Sequence, residues 1–287
     1  PERNLKLPMI SMVVIAANAG GAWSPIGDVT TTMLWVGGQI ETLSIMKTLF
    51  FPSLLCLLVP LMMMSFSLRN AGITTSTDEE KTGFPAGAGI VLGAGIGGLL
   101  MVPVFKNLTH LPPYLAILLV LGIVWILTEI LHRKESQEDK SVYTPAQALS
   151  RIDTPSILFF LGILLAVSAL ETAGMLKASA LWLDGISSSK SIIMAIIGIA
   201  SAVVDNVPLV AAAMGMYDLQ QFPCGNDLWM QLAFAAGTGG SILIIGSAAG
   251  VAVMGMEKID FLWYLKKISF PAFAGFISGY LLLLLLL

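Results

Sequence analysis

The sequence predicts an all-α polytopic membrane protein, built on an inverted repeat with broken helices and a re-entrant hairpin. Three observations predict it. First, 56% of the 287 residues are hydrophobic and 11% are charged, whereas a soluble domain carries about 25% charged residues. Second, apolar runs recur from end to end, at about the 20 residues that a spanning helix needs. Third, one Gly-rich motif occurs twice. The mean hydropathy of +0.86 agrees. A soluble enzyme, a disordered chain and a nucleic-acid binder are excluded.

The elements follow from hydropathy. The first span is 8–37, interrupted by NAGGAWSPIG at 18–27. Spans 48–67, 84–104, 113–131 and 154–176 follow. Two short apolar arms, 191–204 and 207–217, flank Asp205 and Asn206. Span 228–254 is interrupted by GTGGS at 237–241, and 268–287 ends in seven leucines. Residues 1–67 read as the end of a first repeat, 68–153 as connecting spans and loops, and 154–287 as a second repeat. The polar loops 68–83 and 132–153 read as solvated connectors. Gly89, Gly93 and Gly97 form a small-residue stripe, which reads as packing inside the chain, with a homodimer face as the alternative. Cys56 reads as a small hydrophobe and Cys224 as a loop residue, with no disulfide between them. The chain opens on Pro1 with an apolar segment from Leu7, so a fragment lacking an N-terminal portion is expected.

The repeat is specific. AANAGGAWSPIG at 16–27 aligns without a gap on AAGTGGSILIIG at 235–246, an offset of 219. Ala16, Ala17, Gly20, Gly21, Ile26 and Gly27 match Ala235, Ala236, Gly239, Gly240, Ile245 and Gly246. Each copy sits inside a segment too long for one plain helix. Glycine and Pro25 loosen the helix there. Broken backbone at that depth is tolerated only where it lines a protein cavity, and paired broken segments in two halves mark a transporter's binding site.

Charge tests the topology. Let the arms 191–204 and 207–217 enter and leave on one side. Then Arg3, Lys6, Arg69, Lys81, Arg133, Lys134, Lys140, Arg151, Lys258, Lys266 and Lys267 share one face, against Lys47, Lys106, Lys177 and Lys190 on the other. The first face is the cytoplasm by the positive-inside rule, with loops 68–83, 132–153 and 255–267 on it. The two broken spans then run in opposite directions. A bacterial inner membrane is the expected location.

Polar side chains in apolar surroundings carry the chemistry. Asp28 and Asn18 flank the first interruption, and Asp205 and Asn206 form the tip between the short arms. Glu171 lies near the end of span 154–176 as a possible accessory group. An Asp at the bilayer centre costs about 2.5–3.5 kcal/mol on insertion scales and marks an ion or proton path. The same residues suit helix N-caps, and both roles are compatible. Thr30, Thr31 and Thr32 follow Asp28, Ser201 precedes Asp205 by one turn, and Thr238, Ser241 and Ser247 line the second interruption. These are oxygen ligands suited to a hard cation such as Na⁺, with Asp28, Asp205 and Asn206 the foremost candidates. No phosphate-binding loop, nucleophile–base pair or voltage-sensor array is present, and no cofactor is expected. A secondary transporter is implied rather than an enzyme, with the lipid bilayer, monovalent cations and protons as partners.

NAGGAWSPIGDVTTTMLW at 18–35 closely resembles the signature of NhaD-type sodium/proton antiporters. SAVVDNVPLVAAAM at 201–214 and GTGGSILIIGSAAG at 237–250 resemble elements of that family's second half and, more loosely, of the wider ion transporter superfamily. The resemblance implies two inverted repeats, each with a hairpin and a broken helix. It places the first repeat's hairpin upstream of this chain. By resemblance, Asn18, Asp28, Thr30, Thr31, Ser201, Asp205, Asn206, Ser241 and Ser247 bind the ion or proton. Exchange of Na⁺ or Li⁺ for H⁺ is the expected activity, with an oxyanion or dicarboxylate carrier and a non-transporting membrane subunit as alternatives.

Overall fold

The computed structural model describes residues 2–68, 87–109, 111–131 and 154–287. Among them are thirteen helices and no strand. They are α1 (Glu2–Ala22), α2 (Val29–Val36), α3 (Thr42–Leu68), α4 (Ala88–Thr109), α5 (Pro113–Leu131), α6 (Thr154–Thr172), α7 (Met175–Ile186), α8 (Lys190–Ala200), α9 (Asn206–Met216), α10 (Asp227–Gly239), α11 (Ala248–Glu257), α12 (Phe261–Lys267) and α13 (Ser269–Leu286). Among the described residues, four stretches are long and apolar enough to cross a bilayer: Thr42–Phe66, Ala88–Lys106, Pro113–Leu131 and Ser269–Leu286. Their exposed Leu, Ile, Phe and Met side chains suit lipid. Nearly all of the polar loops 68–83 and 132–153, with six of the eleven basic residues assigned to the cytoplasmic face, lies outside the described residues.

The chain divides into two compact units, Thr75–Leu161 and the remainder. In the smaller, α4 and α5 pack together across a short turn. Gly98 makes that approach, because a Cβ there would overlap Val120. Gly89, Gly93 and Gly97 face nothing within 4 Å, so the expected packing of that stripe inside the chain is not found among the described residues.

In the larger unit, α3 lies along α13. Pro60 has no N–H to give the Cys56 carbonyl one turn earlier. Gly275 sits directly on that carbonyl, and a Cβ there would overlap the oxygen and lie 2.7 Å from Pro60 Cγ. Gly275→Leu is therefore expected to separate the helices and cost about 1–3 kcal/mol, the usual penalty of overpacking. Gly255→Leu, at an open position, should leave the thermal melt in detergent nearly unchanged.

The two broken helices lie side by side. α1 packs on α11, and α2 packs on α10. Lys6 Nζ meets Glu257 Oε2 at 2.7 Å, tying the start of α1 to the end of α11. Gly225 N donates to Gln39 O at 2.8 Å, tying the residues after α2 to those before α10. The pair is antiparallel, as an inverted repeat requires.

Two details differ from expectation. The Gly-rich stretches are partly helical: α1 runs on to Ala22 and α10 to Gly239, so the breaks occupy 23–28 and 240–247. Two further short helices, α7 and α12, occupy stretches that hydropathy predicts as loops. Gly174, at φ +72°, makes the corner between α6 and α7.

Candidate functional site

The site begins with the two breaks, which share one geometry. Gly27 N donates to Ser24 O at 3.1 Å, and Gly246 N donates to Leu243 O at 3.1 Å. Each chain then folds back on the last helical turn. A Cβ at Gly21 would lie 2.9 Å from Gly27 O, and one at Gly240 would lie 2.6 Å from Gly246 O. Asp28 caps α2 with φ −144° and ψ 158°, and Ser247 caps α11 with φ −145° and ψ 153°. The 219-residue offset read from the sequence thus holds in the backbone.

A clasp joins the repeats. Asn18 of α1 is buried, and its Nδ2 donates to Ser241 Oγ at 2.8 Å and to Ser247 Oγ at 2.9 Å. From below, the buried Tyr264 hydroxyl of α12 donates to Ser241 O at 2.8 Å. Tyr264 itself packs in a core cluster with Leu7, Ile15, Met64, Ile244, Ile259, Ile268 and Ala272.

The carboxylates lie beside the clasp. Asp28 accepts from Val29 N at 2.8 Å, from the Thr30 hydroxyl at 2.5 Å and from Asn206 Nδ2 at 3.1 Å. Thr31 completes a capping box, taking Asp28 N and donating to Asp28 O. Asp205 caps α9 and accepts from Val207 N at 3.4 Å. Both acids are half-buried, and Asn206, next to Asp205 in the chain, bonds Asp28. Thr30, Thr31 and Asn206 are buried. The N-terminal ends of α2 and α9 therefore meet with carboxylate, hydroxyl and amide oxygens around them. Fixed positive helix ends offset the negative charge, and the oxygens are hard ligands.

The remaining candidates are placed as follows. Ser201 Oγ bonds to Gly198 O at 2.8 Å and Ala236 O at 3.2 Å, seating the end of α8 on α10. Thr238 Oγ1 donates to Phe234 O at 2.7 Å within its own helix. Thr32 Oγ1 holds Pro25 O and Asp28 O across the first break. Glu171 stands apart. It is exposed and lies against Gly215 near the far end of α9. At 1.5 Å per residue that is about 15 Å from the α9 cap. Tyr264 escaped sequence reasoning because it sits in a short segment that carries no motif.

An open cavity of about 690 Å³ reaches Asp28, lined further by Gly27, Thr32, Met33, Val36 and Met214. A second, of about 800 Å³, lies at the far ends of α2 and α9 and includes Gln39, Glu171, Lys177, Met214 and Asp218.

Comparison with known proteins adds the lineage. "Sodium/proton antiporter 1" of Arabidopsis thaliana is 55% identical, covering 97% of this chain and 48% of the relative. "Sodium/proton antiporter 2" of the same plant is 53% identical, covering 94% and 64%. The Na(+)/H(+) antiporter NhaD of Vibrio cholerae is 32% identical, covering 88% and 56%. The chain thus spans about half to two thirds of the length of these relatives. No solved structure matches it. Residues 2–229 match the family CitMHS, described as citrate transporter, and the chain belongs to that family of integral membrane transporters.

Proposed function

We propose that the protein exchanges Na⁺ or Li⁺ for H⁺ across a membrane, with Asp28 and Asp205 as the groups that hold cation or proton. One observation carries this reading. The α9 cap region, from the second repeat, meets the α2 cap of the first, with Asn206 Nδ2 on Asp28 Oδ2 at 3.1 Å. Carboxylates from both repeats therefore share one place at the helix breaks. A cation beside them favours their charged form, and desolvation favours the protonated form. Occupation by Na⁺ and by H⁺ is then mutually exclusive, which couples the two fluxes without a covalent step. The names of the relatives support the same exchange.

In this reading the arms α8 and α9 form a re-entrant hairpin, and the face carrying Lys6 and Glu257 is cytoplasmic. The relatives come from a plant as well as from bacteria, so cell fractionation, rather than the sequence, assigns the membrane. The family's description favours a second reading, a carrier of citrate-like anions. Two carboxylates at the site oppose an anion unless a cation accompanies it.

The test uses membrane vesicles containing the protein, with an imposed pH gradient and a pH-sensitive dye. Na⁺ or Li⁺ should collapse the gradient over pH 6.5–9.5. A gradient untouched by either ion, with the protein present in the membrane, refutes exchange. Citrate uptake by the same vesicles would establish the second reading.

A further inference from the structure

Helix α12 is the short segment between the second broken helix and the last span. Asp260 starts it, accepting from Trp263 N at 2.9 Å. Its inner face is committed to the molecule. The buried Tyr264 shares a core cluster with Ile15 of α1 and Ile244 of the second break. Its hydroxyl donates to Ser241 O at 2.8 Å, and Ser241 Oγ accepts from Asn18 Nδ2. The position of α12 is thus bonded directly to the place where the repeats are tied.

The outer face is of another kind. Going round α12 from Tyr264 at 3.6 residues per turn, the order is Leu265, Leu262, Lys266, Trp263 and Lys267. Both leucines and both lysines are exposed, so an apolar flank adjoins a basic one. Phe270, at the start of α13, is exposed as well. Lys258 lies just before α12, closing α11 in the left-handed region at φ +50°. Lysines therefore stand at both ends of a helix about 10 Å long. Lys6 takes Glu257, and Asp260 serves as the cap. Among the described residues no carboxylate lies within ion-pair distance of Lys258, Lys266 or Lys267.

Lysines in a last turn favour a helix C-terminus, which accounts for Lys266 and Lys267 but not for the leucines beside them or for Lys258. A soluble anion would use the lysines and leave the leucines in water. A leaflet with anionic headgroups engages both, and a tryptophan between two lysines belongs at headgroup level. The bilayer is also at hand, because α12 leads straight into the spanning stretch Ser269–Leu286.

We propose that α12 is a strap on the membrane surface. Lys258, Lys266 and Lys267 bind anionic lipid headgroups, Leu262, Leu265 and Phe270 enter the acyl chains, and Tyr264 passes that hold to the second break. A leaflet rich in anionic lipid then fixes Ser241 and the clasp more firmly than a neutral one. Neither contact depends on which ion is carried.

Trp263 provides the probe. The protein is placed in vesicles of equimolar phosphatidylcholine and phosphatidylglycerol, with brominated acyl chains on one lipid or on the other. The fluorescence lost in Trp263→Phe reports residue 263 alone. Its quenching should be several-fold stronger with bromine on phosphatidylglycerol. Lys258→Gln, Lys266→Gln and Lys267→Gln together should bring that ratio near unity, and high salt should lower it in the parent. Equal quenching by both lipids, or a ratio that the three substitutions leave unchanged, would overturn the headgroup contact. Inorganic phosphate that abolishes the preference where chloride at the same ionic strength does not would make the lysines a site for a soluble anion, and overturn it equally. Hydrogen exchange of the amides of 240–247 reads the strap. It should slow several-fold when phosphatidylglycerol replaces half of a pure phosphatidylcholine bilayer. Tyr264→Phe should cancel that slowing and keep the quenching preference. Exchange in the parent that ignores the lipid, or a slowing that survives Tyr264→Phe, would overturn the link to the break.

Discussion

Asp28→Asn should remove Na⁺-driven proton movement while leaving the fold in place. Asparagine is as good an N-cap as aspartate. Its side-chain oxygen can still accept from Val29 N, and Thr31 can still close the capping box around the backbone. What disappears is the negative charge and the capacity to hold a proton. Loss of the proposed cation ligand in a half-buried site is expected to cost at least about 2.8 kcal/mol, which is a hundredfold at 1.4 kcal/mol per decade. With one acceptor oxygen in place of two, the Thr30 and Asn206 contacts on Oδ2 must rearrange, so a stability loss of about 1–3 kcal/mol is expected beside the loss of exchange. Asp205→Asn should behave alike, since Asn at that cap also accepts from Val207 N. Dye-monitored exchange beside a detergent melt reads both quantities. Exchange at the parent rate in either variant would reduce that acid to a cap.

Gly239→Ala is expected to damage the molecule more than any other single methyl group. The added Cβ would overlap Gly198 O and lie 2.6 Å from Ser201 Oγ. Both belong to the end of α8, which Ser201 pins to Ala236 O. No flexible side chain can give way, because the obstacle is backbone. Either α8 lifts from α10 or the second break deforms. The cost should exceed the 1–3 kcal/mol of ordinary overpacking and should abolish exchange together with stability. Gly20 is the partner of Gly239 in the repeat, and a Cβ there meets nothing within 4 Å. In this chain Gly20→Ala should be neutral or stabilise by up to about 1 kcal/mol, through helix propensity alone. Melting temperatures of the two variants side by side provide the measurement. Equal effects would mean that something also covers α1 at Gly20.

Much of this arrangement is legible in the sequence because glycine spacing is positional. Gly21 and Gly27 recur at Gly240 and Gly246, and each pair is used in the same backbone contact. The breaks themselves were displaced by several residues. Glycines in a membrane segment predict a broken helix, whereas Gly20 and Gly239 stay helical. In the first copy the ending comes just before Pro25, where the capping aspartate restarts the helix. The short helices α7 and α12 were illegible for another reason. Each is under one membrane thickness and carries lysine, Lys177 in α7 and Lys266 and Lys267 in α12, so a hydropathy window averages it into a loop. Among the proposed ion-site residues, the acids and Asn206 were visible as polar groups in apolar runs. Thr31, Ser201 and Thr238 were visible too, but the structure engages their hydroxyls with backbone carbonyls. Sequence shows that an oxygen is present, not which partner has already claimed it.

The clasp between the repeats has a consequence for how the molecule would respond to acidity. Asn18, Ser241 and Ser247 are amide and hydroxyl groups, none of which gains or loses a proton between acid and alkaline conditions. The tie that holds the two breaks at one level is therefore indifferent to pH, while the neighbouring pair Asp28 and Asp205 can change charge. Rivet and proposed sensor are made of different chemistry, so proton binding at the acids would leave the tie intact.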